Sequence, residues 1–215
     1  MKTAAFALAV AASVGLAQGQ AIHEAVDISN AQIHEVLKFA PPAVDQQLRV
    51  VDLGELQLAV GIVHRGKTGA PTAGGGVGRA AAGKAAAPAP VRCGVTETPA
   101  GAETSPPGMI SHDFETETYI VTSGEGTLVT GGQILNGARS GPDSEVTKVL
   151  NGISCSGRSV GKLVTRHLVV GDVVIIPAGV PHGWSEIADH VDYLSVRPDP
   201  KKVLEKNYVN PHMSK

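Results

Sequence analysis

Aromatic residues and clusters of basic residues are both scarce in this chain of 215 residues. Phe, Trp and Tyr together make up 3% of the sequence, which leaves little on which nucleic-acid bases could stack. The formal net charge is −2, and no segment forms a basic stripe. We therefore expect no nucleic-acid partner.

Cysteine is also rare, because Cys93 and Cys155 are the only two. Neither belongs to a Cys-x-x-Cys pair or a Cys/His cluster, so their spacing does not favour a metal site. In an oxidising compartment an even pair permits one disulfide, but pairing depends on a distance that the sequence does not supply. A disulfide and two unpaired thiols both stay open.

Long apolar runs are missing except at the N-terminus. A single Lys, the apolar residues 4–16 and the segment Ala-Gln-Gly at 17–19 follow one another there. This order is typical of a secretory signal peptide. No other segment reaches the roughly 18 apolar residues that a membrane-spanning helix needs. We therefore predict a signal peptide at residues 1–19, a secreted or periplasmic protein, and no membrane partner.

The remaining sequence predicts a short helix followed by many short strands. Ser29 and Gln32 have capping-box spacing and precede a helical apolar pattern, which predicts a helix of about ten residues. Apolar stretches separated by turn residues, among them residues 173–176, then predict an all-β sandwich or barrel of the jelly-roll kind.

We divide the chain into four parts and expect two irregular segments within the barrel. The Gly/Ala/Pro-rich segment lacks the large apolar side chains that could offset the entropy of ordering it, so we predict a flexible insertion rather than a domain boundary. The parts are the signal peptide (1–19), an N-terminal helical extension (20–47), one barrel (48–198) with the flexible insertion 66–101 and a loop at 136–161, and a tail (199–215) with a short helix near 201–206.

The first motif of interest delivers a histidine from a tight turn. Gly171, Pro177, Gly179 and His182 have the spacing G-x5-P-x-G-x2-H, and Glu186 follows. Pro fixes φ and Gly permits positive φ, so the turn places His182 on a rigid frame at the start of a strand.

A second motif lies upstream, and the pair resembles the motifs of the cupin superfamily. His112, Glu117 and Gly124 fit the spacing H-x4-E-x6-G of the first cupin motif. The downstream motif matches the second one, with Glu186 where Asn is usual. The resemblance covers about residues 48–197 and implies a cupin-type β-barrel, a double-stranded β-helix or jelly roll.

The chain departs from the cupin pattern at a ligand position. The resemblance implies three His and one Glu around a metal, but Ile110 stands where the first His is usual and Thr104 where the leading Gly is usual. His112, Glu117 and His182 remain, and two imidazoles with one carboxylate can still bind Fe, Mn, Ni, Cu or Zn as divalent ions. Glu117 would be a ligand or, if unbound, a general base.

Three questions about this site stay open at the level of sequence. His64 follows Val60 and Ile62 in an alternating strand, so it is a candidate for the missing ligand if that face points inward. The alternative to a metal site is a ligand-binding barrel in which His112 and His182 are hydrogen-bonded pocket residues. Strand parity predicts that Asp113 and Glu115 point outward or lie in a turn.

Strand alternation also predicts which residues line the pocket. The expected lining residues are Ile110, Tyr119, Trp184, Tyr193 and Arg197. Arg197 could pair with a substrate carboxylate if its face points into the barrel. The resemblance implies an oxygenase, isomerase or decarboxylase acting on a small molecule, or else a non-enzymatic binding protein with a degenerate site. A homodimer is one candidate assembly.

Overall fold

The computed structural model describes residues 24–40, 44–69 and 90–213. The predicted signal peptide and most of the predicted insertion lie outside the described residues. The described part contains one α-helix, one π-helical turn (Val146–Leu150) and eleven strands. In chain order these are α1 Asn30–Leu37, β1 Asp45–Asp52, β2 Gln57–Gly66, β3 Arg92–Cys93, β4 Glu103–Thr104, β5 Met109–His112, β6 Glu117–Gly124, β7 Gly126–Arg139, β8 Ser154–Leu168, β9 Val173–Ile176, β10 His182–Glu186 and β11 His190–Asp199.

The strands form two sheets that close into a barrel, so the all-β prediction is confirmed. One sheet has the strand order β1-β2-β11-β6-β9, and the other has the order β3-β7-β10-β5-β8-β4 with a further pairing of β7 with β8. All pairings between these strands are antiparallel. The barrel interior is filled by an apolar cluster that includes Val63, Tyr119, Leu128 and Tyr193.

Helix α1 covers the outer face of the first sheet. Ser29 caps it, because the Ser29 hydroxyl accepts from the Gln32 backbone and the Gln32 side chain accepts from the Ser29 backbone. Val36 of the helix is buried against Leu48 and Ile62. Ile62 therefore points away from the lumen, and its strand neighbour Val63 points into it.

Two expectations about irregular segments need correction. Residues 136–161 are irregular only over 140–153, because β7 continues to Arg139 and β8 begins at Ser154. The two strands pair along almost their whole length with two irregularities in register. Gly residues that suggested a loop lie at these irregularities. Residues 201–206 form turns instead of a helix.

Glycine is required at the end of the first motif. Gly124 has a φ of 65°, and a Cβ there would lie 2.0 Å from the carbonyl oxygen of His190. Only Gly therefore allows the β6–β7 turn to lie against β11.

Cys93 and Cys155 form a disulfide with Cα atoms 6.0 Å apart. It joins β3, inside the predicted insertion, to β8.

Removing this disulfide should destabilise the protein markedly. The two cysteines are 62 residues apart, and closing a loop of that length removes about 4 kcal/mol of chain entropy from the unfolded state. We expect the C93S/C155S variant to lose a stabilisation of this order in urea unfolding. Denatured wild type should show no reactive thiol without reductant. An unfolding free energy unchanged by the substitutions would contradict a stabilising role.

Among the described residues, no helix is both long and apolar enough to cross a membrane.

Candidate metal centre

Three side chains from three strands meet inside the barrel. His112 ends β5, Glu117 begins β6 and His182 begins β10. All three are almost completely buried, and one ligand atom from each lies within 4.8 Å of the others. The barrel therefore brings both sequence motifs together at one point.

The turn before β10 fixes His182 and lies against β5. Gly179 has a φ of 81°, and its N–H donates to the carbonyl of His112 at 2.7 Å. Nδ1 of His182 lies 3.0 Å from the carbonyl oxygen of Val180. A carbonyl oxygen only accepts, so Nδ1 must bear the proton, and Nε2 of a neutral His182 is an unprotonated lone pair.

Ser154 assigns the same tautomer to His112. The Ser154 hydroxyl donates to the carbonyl of Gly152 at 3.0 Å and lies 2.8 Å from Nδ1 of His112. Since the hydroxyl has one proton, it accepts from Nδ1, which leaves Nε2 of His112 unprotonated. Burial lowers the pKa of His112, although Glu117 acts in the opposite direction, so the ring is held neutral.

The two Nε2 atoms point at one oxygen of Glu117. Oε2 of Glu117 lies 2.9 Å from Nε2 of His182 and 3.3 Å from Nε2 of His112. Neither buried Nε2 has a properly oriented hydrogen-bond partner in the described structure. Three electron-rich atoms therefore face one another, and a divalent cation would satisfy all of them.

The other contacts of Glu117 hold it ionised. Its Oε1 accepts from Ser195 at 3.0 Å and from Nε of Arg197 at 2.6 Å, and its Oε2 accepts from the Tyr119 hydroxyl at 2.8 Å. Burial alone would raise the pKa of Glu117, but the Arg197 guanidinium holds it well below its usual range. A carboxylate with such a pKa suits a metal ligand and is a weak base, which argues against the general-base alternative.

The described strands therefore form the jelly-roll barrel that the resemblance implies, and this barrel brings residues of both motifs together. No family model matches the chain, and no curated protein matches it.

Solved structures with similar folds are distant in sequence. A Bacillus halodurans protein has a TM-score of 0.36 at 12% identity, with 88% of this chain and 92% of that chain covered. DMSP lyase DddQ from Ruegeria pomeroyi has a TM-score of 0.32 at 14% identity, over 72% of this chain and 46% of the lyase chain. An oxalate oxidase has a TM-score of 0.32 at 16% identity, over 76% of this chain and 55% of the oxidase chain. The chain thus spans about half the length of the last two, and similarity at this level supports no argument about activity.

His64 does not supply the missing ligand. It shares a strand face with Ile62, and this is the outer face that α1 covers further along β2. Its Nδ1 lies 2.6 Å from Oδ1 of Asp192, and the group of candidate ligands in the described structure does not include it. The alternating pattern was recognised correctly, but it does not show which face points inward.

Ile110 does lie beside the candidate ligands. It pairs in register with His182, and it is two residues from His112 on the same strand. Its side chain therefore faces the same side as both histidines. The usual first ligand position of a cupin is thus filled by a buried aliphatic group.

Arg197 faces the lumen but is not available to a substrate. Besides Glu117, its guanidinium donates to Oδ2 of Asp45 at 2.7 Å, to Oε1 of Gln47 at 3.1 Å and to the carbonyl of Leu150 at 3.0 Å. The expected pairing with a substrate carboxylate is therefore wrong, because protein groups occupy all three nitrogens.

The aromatic residues predicted to line the pocket form a packed wall. Tyr119 lies edge-on to His182 with ring centroids 5.9 Å apart, and Tyr193 is 4.2 Å from Tyr119. Trp184 donates from Nε1 to the Tyr193 hydroxyl at 3.3 Å. These rings position Glu117 and His182 and close one side of the site.

Glu115 lies in the turn between β5 and β6, which is one of the two positions expected for it. It is buried, and neither carboxylate oxygen has a hydrogen-bond partner in the described structure. Burial, with Asp199 nearby, raises the pKa of Glu115 to about 7. The residue lies between β5 and β6, where strand alternation does not apply. Asp113, in the same segment, is partly exposed and pairs with Arg139.

Ser154 is a functional residue that sequence reasoning missed. It orients His112 from 42 positions away and lies in a segment that was predicted to be a loop. No local pattern marks such a contact. Ser195, in contrast, alternates with Tyr193 and Arg197 on one face of β11, and that parity could have identified it.

Proposed function

We propose that this protein is an exported, metal-dependent enzyme of the cupin superfamily that acts on a small organic molecule in its barrel. The observation that supports the proposal is that one ligand atom from each of two buried imidazoles and one carboxylate lies within 4.8 Å of the others, and that neither Nε2 atom has a hydrogen-bond partner in the described structure. Two His and one carboxylate form the donor set of many non-haem Fe(II) oxygenases, and Mn, Ni, Cu and Zn also accept it. The reaction would be of oxygenase, isomerase or decarboxylase type.

Each residue has a distinct task in this proposal. His112, His182 and Oε2 of Glu117 would hold the ion, which when bound supplies a Lewis acid with open coordination positions. Ser154 and the carbonyl of Val180 keep Nδ1 of the two rings protonated. Arg197 and Ser195 hold Oε1 of Glu117, so Oε2 stays directed at the two imidazoles. Burial of the site excludes bulk water from the reacting groups.

A metal-free binding protein is the second candidate. Ile110 at a usual ligand position favours it, as does the ion pair between Arg197 and Glu117, which already neutralises the carboxylate. In that case one histidine would be protonated to satisfy Glu117.

Metal analysis separates the two functions. We expect about one divalent ion per purified wild-type chain after growth in metal-replete medium, and loss of that ion in H182A because one of three ligands is removed. H167A is the matched control, since His167 is an exposed histidine that the group of candidate ligands does not include. Circular dichroism would show whether H182A is folded. Wild-type protein without stoichiometric metal would exclude the metalloenzyme.

A further inference from the structure

An open cleft of about 760 Å³ lies beside the candidate metal centre. One wall is β9, which pairs only with β6 in the described structure. The other wall is the C-terminal end of β8, and the residues at that end pair only with β7 in the described structure. The strand edges that face the cleft therefore lack partners.

The floor of this cleft adjoins the site. Thr130 and Ile176 line the cleft, and they pair in register with His182 and Glu117 respectively. Paired Cα atoms in antiparallel strands are about 4.5–5.5 Å apart. Val180, whose carbonyl accepts from His182, also lines the cleft. A molecule in the cleft would thus lie next to the proposed ligands.

Arg166 is the cation that faces this cleft. On β7 and its neighbours, Thr130 pairs with His182, and Leu128 pairs with both Trp184 and Arg166. Residues two apart on a strand share a face, so Arg166 lies on the lumen side of β8. Its Nη1 donates to Oγ1 of Thr130 at 3.3 Å, which directs the guanidinium towards the partner of His182.

Arg166 forms no salt bridge within the described residues, and it is exposed to solvent. Asp172 also lines the cleft, but its Oδ2 accepts from the N–H of Val169 at 2.9 Å. His167 lies 3.5 Å from Glu125. Arg166 therefore has N–H donors free in the cleft, unlike Arg197.

Most of the other side chains that line the cleft are apolar. Leu168, Ile176, Pro177 and Val180 surround the space beside the guanidinium. An aliphatic or aromatic body would be removed from water here, while a charged end pairs with Arg166.

We propose that Arg166, assisted by Thr130, positions the substrate, and that the substrate is a small organic carboxylate with an apolar body. A guanidinium pairs with a planar carboxylate through two parallel N–H donors, which would fix the orientation of the molecule. The carboxylate is held at β8, and the apolar body extends towards His112, Glu117 and His182. This assignment of substrate class rests on the proposed function, but its test does not require metal.

The test compares hexanoate with its neutral isostere hexanamide. Both are titrated by calorimetry into the full-length chain after treatment with a chelator, at low and at high salt. We expect hexanoate to bind at least about tenfold more tightly than hexanamide, with an affinity that falls as salt rises. The R166Q variant should lose about tenfold or more in hexanoate affinity while hexanamide binding is unchanged, and R166K should recover part of the loss.

Lys162 provides the control for this cleft. K162Q removes another cation from β8 that does not line the cleft, and it should bind hexanoate like wild type. Absence of hexanoate binding, equal binding of hexanamide, or unchanged affinity in R166Q would overturn the assignment. Equal binding of inorganic phosphate would also overturn the carboxylate class. A protein that binds hexanoate through Arg166 but contains no metal would retain this inference and reject the metalloenzyme.

Discussion

Replacement of Arg197 by Met is expected to lower the free energy of unfolding by about 3–5 kcal/mol, because it removes one partner from buried ion pairs. Arg197 is 1% exposed and pairs with both Glu117 and Asp45. Without the guanidinium, Glu117 would be a buried carboxylate whose Oε1 keeps only the Ser195 hydroxyl. Urea unfolding of the chelator-treated protein at pH 7 measures the difference.

A second substitution tests the origin of this cost. If the unpaired charge of Glu117 is the cause, the R197M/E117Q double variant should be destabilised by less than the sum of the single variants. R158M is the matched control, because Arg158 donates only to the carbonyl of Ser105 and lies in no ion pair of the described structure. We expect a loss of about 1 kcal/mol there. A similar small loss in R197M would show that the ion pairs contribute little.

Replacement of Ile110 by His is expected to raise the affinity for a divalent ion at least about tenfold, or about 1.4 kcal/mol. The side chain at position 110 faces the same side as His182 and His112, so a new imidazole would add a third nitrogen ligand. Titration of the apoprotein with Zn²⁺ against a competing indicator measures the affinity. The result would show that the isoleucine at position 110 limits metal binding in the wild type.

Ser111 provides the control for strand parity. S111H also places an imidazole on β5, but on the opposite face, where it should not alter the affinity for Zn²⁺. An equal gain in both variants would mean that the added histidine binds the ion elsewhere. No gain in I110H, if the variant is folded by circular dichroism, would mean that His112, Glu117 and His182 do not form the binding site.

The sequence was most informative where short-range rules decide the structure. Gly179 and His182 belong to a turn whose geometry follows from Pro and Gly, and the turn has the expected positive φ. The sequence does not show in the same way which face of a strand points into the barrel. Ile62 and Val63 are both buried, one under α1 and one in the lumen, so hydrophobicity alone could not decide the direction of His64.

Long-range hydrogen bonds also could not be predicted from the sequence. Arg197 has suitable parity for a substrate contact, but its partners Asp45 and Gln47 are about 150 positions away and were assigned to a helical extension. No sequence pattern distinguishes Arg166 from a solvated arginine on a strand. Only the register of β8 with β7 places it at the cleft.

The free edge of β9 affects solubility as well as access. Val173 and Ile175 on this strand are 59% and 68% exposed, and an unpaired apolar edge can template association with another chain. With four residues, β9 is a short edge strand, which limits the number of backbone hydrogen bonds that an incoming strand could form. The unpaired edge beside the cleft is thus too short to pair with more than a few residues of an incoming strand.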